Sequence, residues 1–303
     1  MQSTTACATA SRQDSASSHL PKASVVIPAR NEAEHVGSVL AALASQTVKP
    51  AEIVFVDSGS TDNTASIARR HRARIFTLKP GEFSYGGALN FGVHNAEAPI
   101  TVFLSAHAIP ASPQWLEALL APFHDPKVAA VFGRQLPYAY TNPLEALEIR
   151  RAYGARPRRY RKDPPFCSAN AAVRRSLALL HPFREDVAYG EDLLWAREIC
   201  REGHVVAYAP RAAVFHAHHE TFREVLLRQR RETRERVLHL DFDTWLAEWW
   251  MVPVGLAWGV GRDWFRLAVR GARLRWFFRA PAFRLAKVLG TWRGFRDADK
   301  AMR

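Results

Sequence analysis

Over most of the chain, short apolar runs alternate with stretches of helical spacing. Ser24–Pro28 (SVVIP) is a β-branched run closed by a proline, and Ala33–Ala44 then sets Val36, Val39, Leu40 and Leu43 on one helical face. Ile53–Asp57 (IVFVD) reads as a second buried strand ending in a carboxylate. A helix from Thr61 to His71 follows, with Ser60, Thr61 or Asp62 available as N-cap. Arg74–Leu78 is a third strand, Gly81–Gly87 a loop, Ala88–Asn95 a helix and Ile100–Leu104 a fourth strand. Strands alternating with helices predict an α/β fold, with a mostly parallel central sheet flanked by helices on both faces.

The pattern continues with a helix from Trp115 to Pro122 and a strand over Val128–Gly133. Then come an Arg-rich loop (Gly154–Lys162), a small-residue segment (Ser168–Ala172), a helix starting near Glu191, and strands at Val205–Tyr208 and Ala213–His216. From about Thr221 the composition shifts. Seven of the nine tryptophans lie between Trp245 and Trp292, and residues 223–303 carry 18 Lys/Arg against 9 Asp/Glu. The chain therefore divides into a tail (1–22), an α/β domain (23–220) and a basic, Trp-rich helical extension (221–303).

In the extension, Trp264, Leu267, Ala268, Leu274 and Phe278 fall close to one helical face, with Arg262, Arg266, Arg270 and Arg273 on a neighbouring stripe. A basic amphipathic helix with aromatic residues suits an anionic membrane interface. Packing of the same face on the α/β domain is the alternative. Trp249–Val260 is apolar but shorter than the ~20 residues needed to span a bilayer, and no other stretch is long enough.

The chain's 303 residues, 48% of them hydrophobic, are enough for one large domain plus an extension. The tail is rich in Ser, Thr, Ala and Gln and lacks the apolar core of a signal peptide, so disorder is expected, with a transit peptide as the alternative. Cys7, Cys167 and Cys200 are too few and too far apart for a disulfide framework or a zinc motif. A net charge of +13 points to an anionic partner: nucleic acid, a phosphorylated substrate or a membrane surface. The basic residues gather in the extension and one loop with no nucleic-acid module, which argues against nucleic acid.

The candidate chemistry lies at strand ends. Pro28–Glu32 (PARNE) and Asp57–Asp62 (DSGSTD) each put a carboxylate between a strand and a helix, where it either caps the helix or meets a nucleotide's base and sugar. In Val102–Pro110 (VFLSAHAIP) a buried run stops at Ser105 and His107, before a proline that cannot continue the ladder. In open α/β sheets the carboxyl edge of the strands is where ligands bind. Glu191-Asp192, behind Gly190, are paired carboxylates suited to general-base work or to capping the next helix.

SVVIPARNEAEHV, EIVFVDSGSTDNT, GEFSYGGALNFG, FLSAHAIP, VFGRQLP, FCSANAAVRR and YGEDLLWA, in that order, resemble the inverting family 2 glycosyltransferases, and within them the rhamnosyltransferase-like branch. The resemblance covers about Ala23 to His219. It implies a GT-A fold and transfer of a sugar from a nucleotide diphosphate to a lipid-linked or polysaccharide hydroxyl in bacterial surface-glycan synthesis. It places such an enzyme in the cytoplasm, peripheral on the inner face of the membrane. Carried over position by position, Pro28, Arg30, Glu32, Asp57 and Asn90 line the nucleotide pocket. Leu89 stands where the family often has Arg. Ser105-Ala106-His107 takes the place of the usual Asp-x-Asp, with His216 as the second metal ligand, while His218 and His219 read as surface histidines. Arg134, Gln135, Ser168 and Asn170 fall near the donor sugar and acceptor. Asp192 is the expected base, with Glu191 the alternative. Three readings of the diphosphate corner stay open. They are a divalent cation (Mn²⁺ favoured over Mg²⁺), a metal-free site served by arginines such as those of the 154–162 loop, and a binding protein that kept the fold without the activity.

Overall fold

The computed structural model describes residues 20–79, 81, 83–218, 220–240 and 251–303. Residues 1–19, His219, Trp245, Trp249 and Trp250 lie outside that range. The strands are β1 (Ala23–Ala29), β2 (Glu52–Asp57), β3 (Arg74–Thr77), β4 (Ile100–Leu104), β5 (Ile109–Pro110), β6 (Val128–Leu136), β7 (Arg158–Tyr160), β8 (Asn170–Arg174) and β9 (Val205–Phe215). They form one sheet in the order β3-β2-β1-β4-β8-β6-β9-β5, with β7 on the free stretch of β9. β1, β2 and β4 are covered on both faces, so they read as unbroken apolar runs and were legible as such. Val25, Ile27, Leu40, Leu43 and Trp115 pack on one side of the sheet, and Val26, Phe103, Phe132 and Trp195 on the other.

Helix α1 (Val36–Ala44) follows β1, α2 (Thr64–Arg70) follows β2, and α3 (Tyr85–Asn95) follows β3. α3 starts three residues ahead of the expected Ala88, because the Ser84 hydroxyl accepts from the Gly87 N–H and caps it inside the expected loop. α4 (Trp115–Leu120), α5 (Pro143–Ala152), α6 (Arg175–Leu180) and α7 (Glu191–Arg201) complete the α/β body.

The sheet is not uniformly parallel. β8 runs antiparallel to both β4 and β6, and β5 and β7 run against β9. After β6 the chain makes an excursion through α5 and β7 and re-enters the sheet from the opposite end. The small-residue segment thus becomes a central strand. The two short strands expected near residues 205 and 213 are one strand, β9, parallel to β6. Its register shifts: Gly133 faces Ala209, yet Arg134 faces Ala213. The three extra residues, Pro210–Ala212, form a bulge.

The extension holds α8 (Phe222–His239), opened by a Thr221/Glu224 capping box, then α9 (Met251–Val269) and α10 (Arg275–Met302). The single amphipathic face expected over Trp264–Phe278 is split between two helices. Gly271, at φ 60°, breaks the chain between them. Leu267 is fully buried with Leu144 and Leu147 of α5, whereas Leu274 and Phe278 are exposed. Buried Arg284 meets Asp263 and Glu148, tying the extension to α5.

Candidate active site

The register of β1 with β2 sets Ala29 opposite Asp57. Carried three residues past Val26–Phe103, the register of β1 with β4 brings the same edge to the turn holding Ser105 and His107. The loops after β1 and β2 interlock. Asn31, at φ 56°, accepts from the Thr61 N–H at 2.8 Å; Glu32 N–H donates to the Thr64 hydroxyl at 2.7 Å; Asp62 accepts from the N–H groups of Ala33 and Thr64. Asp62 is therefore a clamp and cap. Asp57 is buried and, among the described residues, accepts only from Ser60 N–H, at 3.3 Å to each oxygen, which leaves acceptor capacity. Pro28 is half-buried on β1 and Arg30 exposed beyond it.

His107 and His216 come together, their Nε2 atoms 3.1 Å apart. Nδ1 of His107 is 2.9 Å from Glu32 Oε1, and Nδ1 of His216 is 2.9 Å from Gln135 Oε1. Both oxygens accept, so each Nδ1 donates to its oxygen, while the two rings stack with centroids 4.8 Å apart and bring their Nε2 atoms together. Such a pair fits a shared cation. Burial and the neighbouring His218 and His107 hold the His216 imidazole well below its ordinary range, so it is neutral and able to ligate. His218 joins them, with ligand atoms of all three within 4.8 Å of one another. His218 is exposed, as expected of a surface histidine, and lies beside the other two imidazoles.

The paired carboxylates Glu191 and Asp192 open α7 behind Gly190, which takes φ 86°. Asp192 Oδ2 accepts from the Ser168 N–H at 2.8 Å and the Ser168 hydroxyl at 3.0 Å, and Oδ1 from the Leu193 N–H at 2.8 Å. Burial raises its carboxyl above the usual range while the Ser168 bonds oppose the rise. Glu191, 6% exposed, is pushed up to about 8, by burial first and the charge of Asp192 second. Both carboxyls are thus raised by burial, and Asp192 differs from Glu191 in accepting from Ser168.

A continuous polar chain joins the two halves. Ser168, bonded to Asp192, adjoins Cys167. Gln135 Nε2 lies 3.3 Å from the Cys167 sulfur, and Gln135 Oε1 meets His216, which reaches His107 and Glu32.

Several residues expected at the ligand are engaged elsewhere. Asn90 accepts from Phe183 N–H and donates to Phe183 O and Glu185, so it anchors the 183–185 loop. Asn170, fully buried, accepts from Trp115 Nε1 and donates to Ala212 O and Arg134 O, which pins the β9 bulge. Ser168 and Gln135 position Asp192 and His216. Arg134 does remain available: its Nε is buried with no hydrogen-bond partner among the described residues. In the Arg-rich loop, Arg158–Tyr160 pairs with the amino-terminal part of β9, and Arg159 bonds Asp125 ahead of β6, at the end of the sheet away from His107.

The fold resembles those of solved sugar transferases. The mannosyltransferase PcManGT of Pyrobaculum calidifontis, in complex with GDP-Man and Mn²⁺, superposes with TM-score 0.55 at 22% identity, covering 94% of this chain and 76% of that one. Glucosyl-3-phosphoglycerate synthase of Mycobacterium tuberculosis, with Mn²⁺ and UDP-Glc, gives TM-score 0.53 at 22% identity over 72% and 80%. These likenesses establish the GT-A fold. Residues 24–179 match glycosyl transferase family 2, and the chain belongs to that family. The O-antigen chain rhamnosyltransferase WbaN of Salmonella anatum is 35% identical over 60% of this chain and 62% of its own length. RfbN of Salmonella typhimurium is 32% identical over 67% and 68%. The match thus spans under two thirds of WbaN.

Proposed function

We propose that the chain is an inverting glycosyltransferase, moving a sugar from a nucleotide-diphosphate donor to a hydroxyl of a cell-surface glycan under construction. The polar chain from Asp192 to Glu32 carries this reading, because it holds a hydrogen-bonded carboxylate and an imidazole cluster on one sheet edge. Asp192 takes the acceptor hydroxyl's proton as that oxygen bonds the anomeric carbon. The bond from that carbon to the diphosphate breaks on the opposite face, the electron pair leaves with the diphosphate, and the configuration inverts. Glu191, its carboxyl raised by burial and by the charge of Asp192, is the weaker candidate base. Asp57 and Pro28 serve the base, and Arg30 with the unpartnered Nε of Arg134 serves the diphosphate.

His107, His216 and His218 would hold a divalent cation, which supplies positive charge beside the leaving diphosphate. An imidazole set favours Mn²⁺ or a softer ion over Mg²⁺. Rhamnose is the first donor sugar to test, given WbaN and RfbN. The exposed aromatic and basic residues of the extension support contact with an anionic membrane surface, on its cytoplasmic side, where a lipid-linked acceptor is met. No helix among the described residues is long and apolar enough to cross a membrane.

The test is to incubate purified chain with a panel of nucleotide sugars, Mn²⁺ and glycan acceptors. Nucleoside diphosphate is expected to appear in step with glycosylated product. Donor binding with no turnover under any combination would leave a binding protein instead.

A further inference from the structure

At the carboxyl end of α7, Glu198 and Glu202 stand four residues apart and exposed, with Glu202 closing the helix. Half-buried His181, the residue that ends α6, faces both. Its Nε2 is 3.1 Å from Glu202 Oε2 and its Nδ1 3.5 Å from Glu198 Oε1. One ligating atom from each of the three falls within 4.8 Å of the other two. The same helix fixes the backbone of His181: buried Trp195 donates through Nε1 to the His181 carbonyl at 2.7 Å and stacks on Phe183. Along the helix axis Glu202 lies about 15 Å from Asp192, at the opposite end of α7.

Three electrostatic features call for added positive charge at this end. Like charges four residues apart on one helix face repel. The carboxyl end of a helix carries partial negative charge, which opposes both acids. A neutral imidazole has a single N–H, so it donates to one carboxylate and sets a lone pair toward the other. An imidazolium would bring one charge against two carboxylates, whereas a divalent ion balances both. One ring nitrogen then ligates and the other stays an N–H donor, the usual state of a metal-bound histidine. The donor set selects the ion. One imidazole and two carboxylates, with a further position open to water, match Zn²⁺, while Mg²⁺ and Ca²⁺ take oxygen ligands.

We propose that His181, Glu198 and Glu202 form a structural Zn²⁺ site, separate from the imidazole cluster of His107, His216 and His218. The ion ties the end of α6 to the end of α7. Between His181 and α7 the chain runs through residues 182–190 and then reaches Glu191 and Asp192, so the ion staples the loop that delivers the paired carboxylates. Asn90, Phe183 and Trp195 hold that loop from the core, and the ion holds it from the solvent side. The site stands whether or not the chain transfers sugar.

The experiment counts Zn²⁺ uptake by equilibrium dialysis in the full chain, in His181→Ala and in Glu198→Gln/Glu202→Gln. Wild type is expected to hold one equivalent more than either variant, a difference that does not depend on whether the other imidazole cluster binds. The double variant changes exposed side chains alone, so it carries the test should His181→Ala fail to fold by circular dichroism. Hydrogen exchange gives a second readout. With Zn²⁺ at about 100 times its dissociation constant, amides of 182–190 that exchange through loop opening are expected to slow about 100-fold in wild type and not in the variants. Equal uptake by all three chains would overturn the site. So would displacement of the extra equivalent by equimolar Mg²⁺, the behaviour of a general acidic surface. An extra equivalent bound with no slowing at 182–190 would overturn the staple.

Discussion

Replacing Asp192 by Asn probes the proposed base directly. In the folded chain both oxygens are occupied by donors: Ser168 N–H at 2.8 Å, Ser168 hydroxyl at 3.0 Å and Leu193 N–H at 2.8 Å. An amide offers one oxygen, so its NH₂ must face an N–H on one side or the other. The hydroxyl of Ser168 can rotate, but a backbone N–H cannot. One charge-assisted bond is lost, costing about 1.5–3 kcal/mol. The loss of a buried charge beside Glu191 offsets part of it. Stability therefore changes modestly, whereas removal of a general base lowers turnover about 100- to 10,000-fold. The assay is steady-state nucleotide release together with calorimetric donor binding and thermal melting. A kcat reduced by those orders, with donor affinity retained, is the expected result. Turnover within about threefold of wild type would remove Asp192 from the role, because a base contributes far more than that. Ser168→Ala supplies a second readout. Without the hydroxyl donor the Asp192 carboxyl rises further, and the acid limb of the kcat/KM profile moves to higher pH, by about one unit for each ~1.4 kcal/mol lost. An unmoved limb would refute the pairing.

Three further outcomes are expected. Glu191 is raised in the folded chain, so its contribution favours folding at low pH and is lost as pH climbs from near 4.5 toward about 8; urea melts should show wild type losing stability relative to Glu191→Gln across that window, and a constant gap would contradict it. Glu32→Ala removes the acceptor that orients His107, and metal affinity read by Co²⁺ absorption should fall about 10- to 100-fold, with unchanged affinity telling against the imidazole site. Leu267→Ala opens a cavity between α5 and the extension and should cost about 2–5 kcal/mol in denaturant unfolding, whereas a loss below 1 kcal/mol would mean that α9 packs there only loosely.

The legibility of the chain follows from what each pattern reports. β1, β2 and β4 are covered on both faces and so carry continuous apolar runs that need no context. β8 (NAAVR) and β7 (RRY) lack such runs. The first is a central strand because Phe132, Trp115 and Phe183 fill the volume around its alanines, and the second sits on an edge where side chains face water. At the site, the motifs singled out Asp192, His107 and His216, and the structure sets all three toward one edge of the sheet. They could not distribute hydrogen bonds. Asn90, Asn170 and Ser168 sit where a ligand was expected, yet their polar atoms are consumed by Phe183, Trp115 and Asp192, all distant in sequence.

The bulge of Pro210–Ala212 determines which way His216 points. Side chains alternate along a strand with period two, so three inserted residues exchange the two faces. Before the bulge, Val205, Ala207 and Ala209 pack in the layer with Trp115; beyond it, Ala212 and Val214 do, and His216 continues that parity. The direction of the imidazole is therefore encoded by a count of residues and not by their identities. Substitutions across 210–212 leave it facing His107, while loss or gain of a single residue there would turn it to the opposite side of the sheet and empty the cluster without touching a ligand. Length, in this short segment, sets the direction of the imidazole.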